Sequence, residues 1–473
     1  MATINSALNI MSQALEADQS ALSTVANNVA NANTTCYTRE VPNWQENSPV
    51  EINGVSYGQG VTETGATSVR DRVLEQRLAQ QQQLASASGT RLTALNALQA
   101  LFAPDSGSAS STAGDVSSDV TGLFKSFSSL EVNPTNDSLR QQVLSAASTL
   151  AGDISNVAAS LGSQRSALDE EAAGITSQVN GLTDAIARLN LEIQSTWSNA
   201  DPGTLEDQRQ QDLSQLSQLV GINQVTTENN GLSITTTSGQ LLVSEGTSFQ
   251  LTTGTVSGET RFFVGATDVT KQLAEGGGEL GGYLTARDED NPNALAALDQ
   301  LAYSVSTSVN ALNNAGTDMN GATGTVTNPR NIFNQPVAVA GSAANMKVVM
   351  TDPSQIAAAG LGQGTGDNSN ATALAALASQ SIVNGQTPTN FYSQFVSQLG
   401  STVAEVEAEN TAQSASVTQL QTQNDSLSSV NLNDEASAMQ QLETSYQAAS
   451  QVFNILNTVM TSVLNLGVET AVS

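Results

Sequence analysis

The 473-residue sequence has no histidine and a single cysteine, Cys36. Without His there is no Ser-His-Asp triad, no Cys-His dyad, no HExxH zinc site and no His general base. One Cys makes no internal disulfide and no thiolate cluster, so the chain is not a disulfide-stapled scaffold. Aromatic residues are 4% of the chain, too few for the walls of an ordinary small-molecule pocket. Cations are also scarce: 15 Lys+Arg stand against 44 Asp+Glu, a net charge of −29. Such a chain repels a nucleic-acid backbone and an anionic bilayer, so neither nucleic acid nor membrane is expected as a partner. No uninterrupted apolar run is long enough to span a bilayer. The opening MATINSALNIMSQALEADQ lacks a basic n-region and a continuous apolar h-region. It does not read as a Sec signal peptide, and the expectation is a cytoplasmic protein or one exported without signal cleavage.

Small and uncharged polar residues fill the space these absences leave. Hydrophobic residues still make up 39%, enough for ordered structure, and the length suits roughly three domains. Heptad spacing is the most informative pattern, and it occurs at both ends. Leu8, Leu15, Leu22 and Val29 recur every seven residues, with Ile4, Met11 and Val25 in the second position and Asp18 as a polar interruption. At the other end Leu432, Met439, Tyr446, Phe453 and Met460 recur every seven, with Leu442, Ala449, Leu456 and Val463 beside them. Asn431 or Asn433 caps this second helix, and Asp434 and Glu435 lie where the helix dipole favours acids. Both stripes fit a 3.5-residue period, the mark of helices that pack on other helices. The simplest outcome is that the first and last helices pair, within the chain or between chains. The alternative is two amphipathic helices on separate domains.

A third seam runs through Ile154, Leu161, Leu168, Ile175, Leu182 and Leu189, with Ala158, Arg165, Ala172, Val179, Ile186 and Ile193 alternating. Its helix would be about 60 Å long, and Asp201-Pro202-Gly203 would stop it. Arg165 at a seam position reads either as the partner of a buried acid or, the preferred reading, as a long stem reaching solvent. Residues 70–102, 138–150, 205–219, 294–312 and 391–430 also carry helical spacing. Residues 221–285 instead show short alternating runs broken by Asn229-Asn230-Gly231, Ser238-Gly239 and Ser257-Gly258, a β-rich pattern. A strand is expected at Met346–Met350 and a loop over the Ser/Gly/Ala stretch 103–119.

The fold class expected is mainly α with β-rich insertions (α+β): paired terminal coiled-coil helices, an elongated helical bundle and a small outer β subdomain. Residues 1–60 form the N-terminal helix and its connector, pairing with 431–473. Residues 61–220 form the helical bundle, continued by 286–315 and 368–430. Residues 221–285 are a β-rich insertion and 316–367 a second, mixed one. The acidic runs Asp169-Glu170-Glu171 and Asp288-Glu289-Asp290 lack calcium-loop spacing and read as solvated faces. Gly276-Gly277-Gly278 and Gly281-Gly282 lack the context of a phosphate cradle and read as a hinge. Catalytic, cofactor-binding and metal-binding residues are not expected.

Both ends also resemble a known family. In ALNIMSQALEADQSALSTVANNVANANTTCYTRE, residues Asn27, Asn28, Val29, Ala30, Asn31, Thr34 and Tyr37 match the N-N-[IV]-A-N-x-x-T-x-G-Y pattern of flagellar axial proteins. Cys36 stands where that pattern has Gly, and Thr35 where it has Pro. The C-terminal motif is similar too, with its D-E-E element as Asn433-Asp434-Glu435 and its Q-x-A-Y-Q-A element as Thr444-Ser445-Tyr446-Gln447-Ala448. The middle of the chain is more specific. GGELGGYLTARDE, LDQLAYSVSTSVNALNNAGTDMNG, MKVVMTDPSQIAAAG and GDNSNATALAAL resemble, in that order, the central signature of the flagellar hook-associated protein 1 family.

That resemblance implies a structural adaptor at the hook–filament junction of the bacterial flagellum, extracellular after export by the flagellar type III apparatus. The alternatives are another axial protein, namely hook protein or hook-associated protein 3, or an exported coiled-coil adhesin. Implied partners are further copies of the chain in a ring, hook protein, hook-associated protein 3 and a cytoplasmic export chaperone. The terminal seams would then be assembly surfaces, and the two helices would be poorly ordered before assembly. The chaperone would mask Leu442, Tyr446, Phe453, Leu456 and Met460. The alternative for that stripe is simple packing inside the folded chain.

Overall fold

The computed structural model describes residues 2–52, 54–102, 115–197, 202–256 and 258–469. They divide into two compact units, each gathered from distant stretches of chain. One comprises Met1–Ala85, Thr176–Gly278 and Gln413–Ser473; the other comprises Ser86–Ile175 and Glu279–Ala412. The fold is mainly α with small antiparallel sheets, as the periodicity predicts.

The first unit holds both termini. Helix α1 (Ala2–Asn31) packs against α11 (Leu432–Glu469). The end of α1 meets the start of α11, because Asn28 bonds Glu435, so the pair is antiparallel. Between them in sequence, β1 (Glu40–Glu46) pairs antiparallel with β4 (Val61–Ser68) and lies against α1, with a bulge between Pro42 and Trp44. Its two inner strands, β2 (Val50–Ile52) and β3 (Val55–Tyr57), form a short hairpin.

Two further sheets belong to this unit. One has the order β5 (Ile222–Thr226), β6 (Leu232–Thr236), β7 (Leu241–Ser244), β8 (Thr247–Ser248). The other has β11 (Thr267–Asp268), β10 (Glu259–Val264), β9 (Leu251–Val256). Alternation sets which side is buried: Leu232, Ile234 and Thr236 point inward along β6. The long α4 (Asp137–Trp197) clips both sheets from its last turns. Asn190 donates to the Leu232 and Glu245 carbonyls, and Asn180 both donates to and accepts from the Leu251 backbone.

The β-rich expectation for 221–285 is corrected beyond Asp268. Helices α6 (Thr270–Gly276) and α7 (Gly278–Thr285) follow, because Val269 with Leu273, and Leu280 with Leu284, bury apolar side chains four residues apart. The expected glycine hinge is instead a tight backbone contact. Gly277 and Gly278 have φ of 96° and 74°, and a Cβ on Gly278 would lie 2.5 Å from the Val220 nitrogen.

The second unit has the largest core. Helices α2 (Arg72–Ala100), α3 (Val116–Val132), α4, α8 (Asn291–Ala315), α9 (Ser369–Ala376) and α10 (Pro388–Ser428) contribute to it. Phe124, Phe127, Leu150, Ile154, Leu161, Leu301, Val305 and Phe333 are almost fully buried there, and Phe102 meets Phe395 edge-on at 4.9 Å. The predicted loop at 103–119 lies outside the described residues up to 114; from Val116 the chain is helical, capped by the Asp115 carboxylate on the Ser117 amide. The stop at Asp201 also lies outside the described residues.

Over 316–367 the backbone is held by side chains more than by strands. Asn310 brackets Phe333, Asn313 reaches Ala357, and Asp299 accepts from the Gly341 and Ala343 amides. The expected strand at Met346–Met350 reduces to one isolated bridge, Phe333 to Val348. The acidic runs are not merely solvated either. A π-helical turn (Ala286–Asp290) joins α7 to α8 and brings Arg287 onto Asp169 and Asp288, while Arg91 grips Asp290 at 2.8 and 2.9 Å.

Candidate assembly site

The terminal seam residues do not close a core in the single chain. On α1, Ile4, Leu8, Met11, Leu15 and Leu22 are half-buried and Val29 is exposed; Val25 alone of the seam is buried, beside Ala17, Ala21, Thr24 and Asn28. On α11, Met439, Leu442, Phe453, Leu456 and Met460 are half-buried, while Leu432, Tyr446 and Val463 are exposed. Among the described side chains of α11, Glu435 is the one that is buried. Two helices side by side each leave most of their circumference to water, so a pair alone cannot seal a seam on both flanks.

What fastens the pair is polar and sits at its closed end. Asn28 ends α1 with every hydrogen-bonding position used. Its Oδ1 accepts from the Glu40 amide at 3.0 Å and from the Tyr37 hydroxyl at 2.9 Å. Its Nδ2 donates to the Glu40 carbonyl at 2.8 Å and to Glu435 Oε2 at 3.1 Å. The other oxygen of Glu435 takes Arg39 Nε at 2.6 Å. The Arg39 amide in turn donates to the Ser428 carbonyl at the end of α10. Burial and the Glu40 carboxylate push the Tyr37 phenol upward, which keeps it a neutral donor.

A second knot holds the connector from below. Arg70 pairs with Glu75, Glu206 and Asp207, and Arg72 also reaches Glu206. Asp207 accepts from the Thr38 amide at 3.1 Å, which anchors the residue preceding Arg39. Burial pushes both Asp207 and Glu75 upward.

Of the five motif residues, Asn28 and Tyr37 thus lie in the buried knot. Asn27, Asn31 and Thr34 form an exposed terminating turn: Asn31 donates to the Asn27 side chain at 2.9 Å and Thr34 donates to Asn31 at 3.1 Å. Cys36 adopts φ of 61°, so the turn survives with Cys in the glycine position. Partial burial, with Asp207 and Glu75 nearby, pushes its thiol upward, which suits a passive residue. Asn431 caps α11 by accepting from the Asn433 amide at 3.0 Å. Sequence pattern marks Glu435 only as a favourable acid. It does not reveal the ties made by Arg39, Glu40, Arg70 and Asp207, whose partners lie up to 396 residues away.

The knot ties two chain ends to one connector through hydrogen bonds and an ion pair. Residues 105–327 match the family model described as the flagellar hook-associated protein FlgK helical domain, and residues 8–38 match that of the flagella basal body rod protein. Flagellar hook-associated protein 1 of Escherichia coli strain K12 is 25% identical over 98% of this chain and 100% of its own length. The chain is a relative of flagellar hook-associated protein 1. The Bacillus subtilis strain 168 protein of the same name is 26% identical over 96% of each chain. The fold is shared with the flagellar hook junction protein FlgK from Burkholderia pseudomallei at a TM-score of 0.64 and 18% identity, covering 74% of this chain and all of that one. This is therefore a structural protein of the bacterial flagellum and not an enzyme.

Proposed function

We propose that this chain is the adaptor that joins the distal end of the hook to the filament. The observation that carries the reading is the tied but unsealed pair of terminal helices. Their closed end is fixed by Asn28, Arg39 and Glu435, and their apolar flanks stay open to further copies. Likeness to hook-associated protein 1 over 98% of the chain supports placing that assembly at the junction.

In this reading Ile4, Leu8, Met11, Leu15, Leu22, Val25 and Val29 meet Leu432, Met439, Leu442, Tyr446, Phe453, Leu456, Met460 and Val463 of the same and neighbouring copies in a ring. Hook protein lies on one side and hook-associated protein 3 on the other. Before assembly the chain leaves the cytoplasm unfolded through the flagellar type III apparatus. A chaperone covers Leu442, Tyr446, Phe453, Leu456 and Met460 until then, because an open apolar stripe invites early association. The domain boundaries given above are part of the same proposal.

The test is deletion of the gene, followed by imaging of the cell surface and assay of the medium for flagellin. Hooks without filaments, with flagellin lost to the medium, are expected. Absent hooks would move the protein to the hook or rod. Intact, working flagella would overturn the flagellar reading in favour of an adhesin.

A further inference from the structure

Cations are scarce in this chain, yet three of its 15, Arg70, Arg72 and Arg209, line one cavity of about 200 Å³. The cavity lies in the first unit, among the start of α2, helix α5 (Gly203–Leu219) and the β5–β6 strands, where Gln224, Thr226 and Leu232 line it. It has room for several waters.

The acids around it are engaged. Glu206 takes Arg72 through both carboxylate oxygens at 3.2 Å, pairs with Arg70 at 3.2 Å and accepts from Asn230. Asp207 takes Arg70 and the Thr38 amide, and Glu75 takes Arg70 at 3.3 Å.

Arg209 is placed differently. It is 7% exposed, and no carboxylate among the described residues is paired with it. Its Nη1 donates to Asn190 Oδ1 at 2.9 Å and to the Asn230 carbonyl at 2.8 Å. Its Nε and Nη2 meet no acceptor among the described residues, although a guanidinium carries donors on all its nitrogens. Neither nitrogen is sealed in protein, so both open on the cavity that Arg209 lines. A buried cation held only by neutral oxygens is costly. Burial pushes this guanidinium down to about 10; Glu206 pulls it up, while Arg70 and Arg72 push it down again.

We propose that this cavity binds a small tetrahedral oxyanion, sulfate or inorganic phosphate, held by the free edge of the Arg209 guanidinium and by Arg72 at the rim. Such an anion has oxygens enough to accept from Nε and Nη2 of Arg209 and from a second guanidinium at once, which a halide cannot do as well. The occupant would join α2, α5 and the β5–β6 strands through one charge. Three arginines face three acids here, so the arriving anion needs a compensating proton. Burial pushes both Glu75 and Asp207 upward, so one of them takes that proton. The charges facing Glu75 are Arg70, Glu206, Arg72, Asp207 and Arg209; Arg70 faces Asp207, and Cys36 and Tyr37 are titratable neighbours. Binding that takes up a proton tightens as pH falls.

The test is calorimetric titration of the full chain with sulfate, at constant ionic strength in chloride. Sulfate keeps its charge across the pH range, so any pH dependence belongs to the protein. Saturable binding is expected, tightening from about pH 8 to about pH 6. Arg209→Gln should abolish it, and Arg72→Gln should weaken it about tenfold. Thermal unfolding should give the same order, with a midpoint that rises to saturation for the unsubstituted chain. The general stabilising effect of sulfate does not saturate and is common to all variants. Where Arg209→Gln fails to fold, Arg72→Gln decides, because its side chain is 52% exposed. Absence of saturable binding, equal binding in the variants that fold, or an affinity that does not tighten on acidification would overturn the site and leave water as its occupant.

Discussion

Glu435→Ala is the sharpest probe of the knot. The carboxylate is 1% exposed and receives Arg39 at 2.6 Å and Asn28 at 3.1 Å. Removing one partner of a buried ion pair costs about 3–5 kcal/mol, because the other charge is left without compensation. Here the Arg39 side chain is 35% exposed and recovers water, so the expected loss is smaller, about 2–3 kcal/mol. Asn28 keeps three of its four bonds, so α1 should stay helical while α11 detaches at its first turn. About 2.7 kcal/mol is a hundredfold change in the opening equilibrium. Amide exchange is the assay, read at Arg39, whose N–H donates to Ser428, at Glu40, whose N–H donates to Asn28, and at residue 435, whose N–H donates to Asn431. Glu435→Gln should cost less, since an amide oxygen still accepts from Asn28. A cycle with Arg39→Leu should be non-additive by about 1 kcal/mol or more. Additivity within about 0.5 kcal/mol, or exchange unchanged in Glu435→Ala, would refute the account of the knot.

Three other outcomes follow from single positions. Cys36→Gly relieves a left-handed backbone at φ of 61° and, after the entropy of a freer unfolded chain, should stabilise by about 0.5–1 kcal/mol in thermal unfolding. Gly278→Ala should destabilise by more than about 3 kcal/mol, because its Cβ would strike the Val220 backbone, whereas Gly362→Ala, at a similar φ of 72° in open space, should cost about 1–2 kcal/mol. Burial, and then the hydrogen-bonded Asp153 carboxyl, push Asp119 up to about 7. The folded state therefore holds a proton that the unfolded state releases near pH 4, so stability should fall as pH rises from about 4 to 7 and then level off. Asp119→Asn should flatten that part of the profile in denaturant titrations taken across the range.

Helices with a repeating apolar stripe are legible in the amino-acid sequence. The 154–193 seam lies within a single 61-residue helix, with Ile154, Leu161, Ala172, Val179, Ile186 and Ile193 buried as the spacing requires. Pairing of the first and last helices is legible for the same reason. Helix α3 is harder to see, although Val116, Val120, Leu123, Phe127 and Leu130 carry a helical period, because the Ser/Gly/Ala composition before it runs on into its first turn. The polar knot is illegible for a different reason. Hydrophobic period is a local signal, whereas Arg39 with Glu435, Thr38 with Asp207 and Arg287 with Asp169 are chosen by the folded path of the chain. The Asn28 motif points to the place, and packing alone supplies its partners.

In the proposed assembly, the uncharged length of α11 from Thr444 to Val468 would set the conditions under which copies hold together. A joint made there has almost no Coulombic attraction for salt to screen, so a rise in salinity should not loosen it. Its cohesion comes instead from water's reluctance to wet aliphatic side chains, which weakens on cooling. The vulnerability of such a joint is therefore the cold and not the salinity of the medium around it.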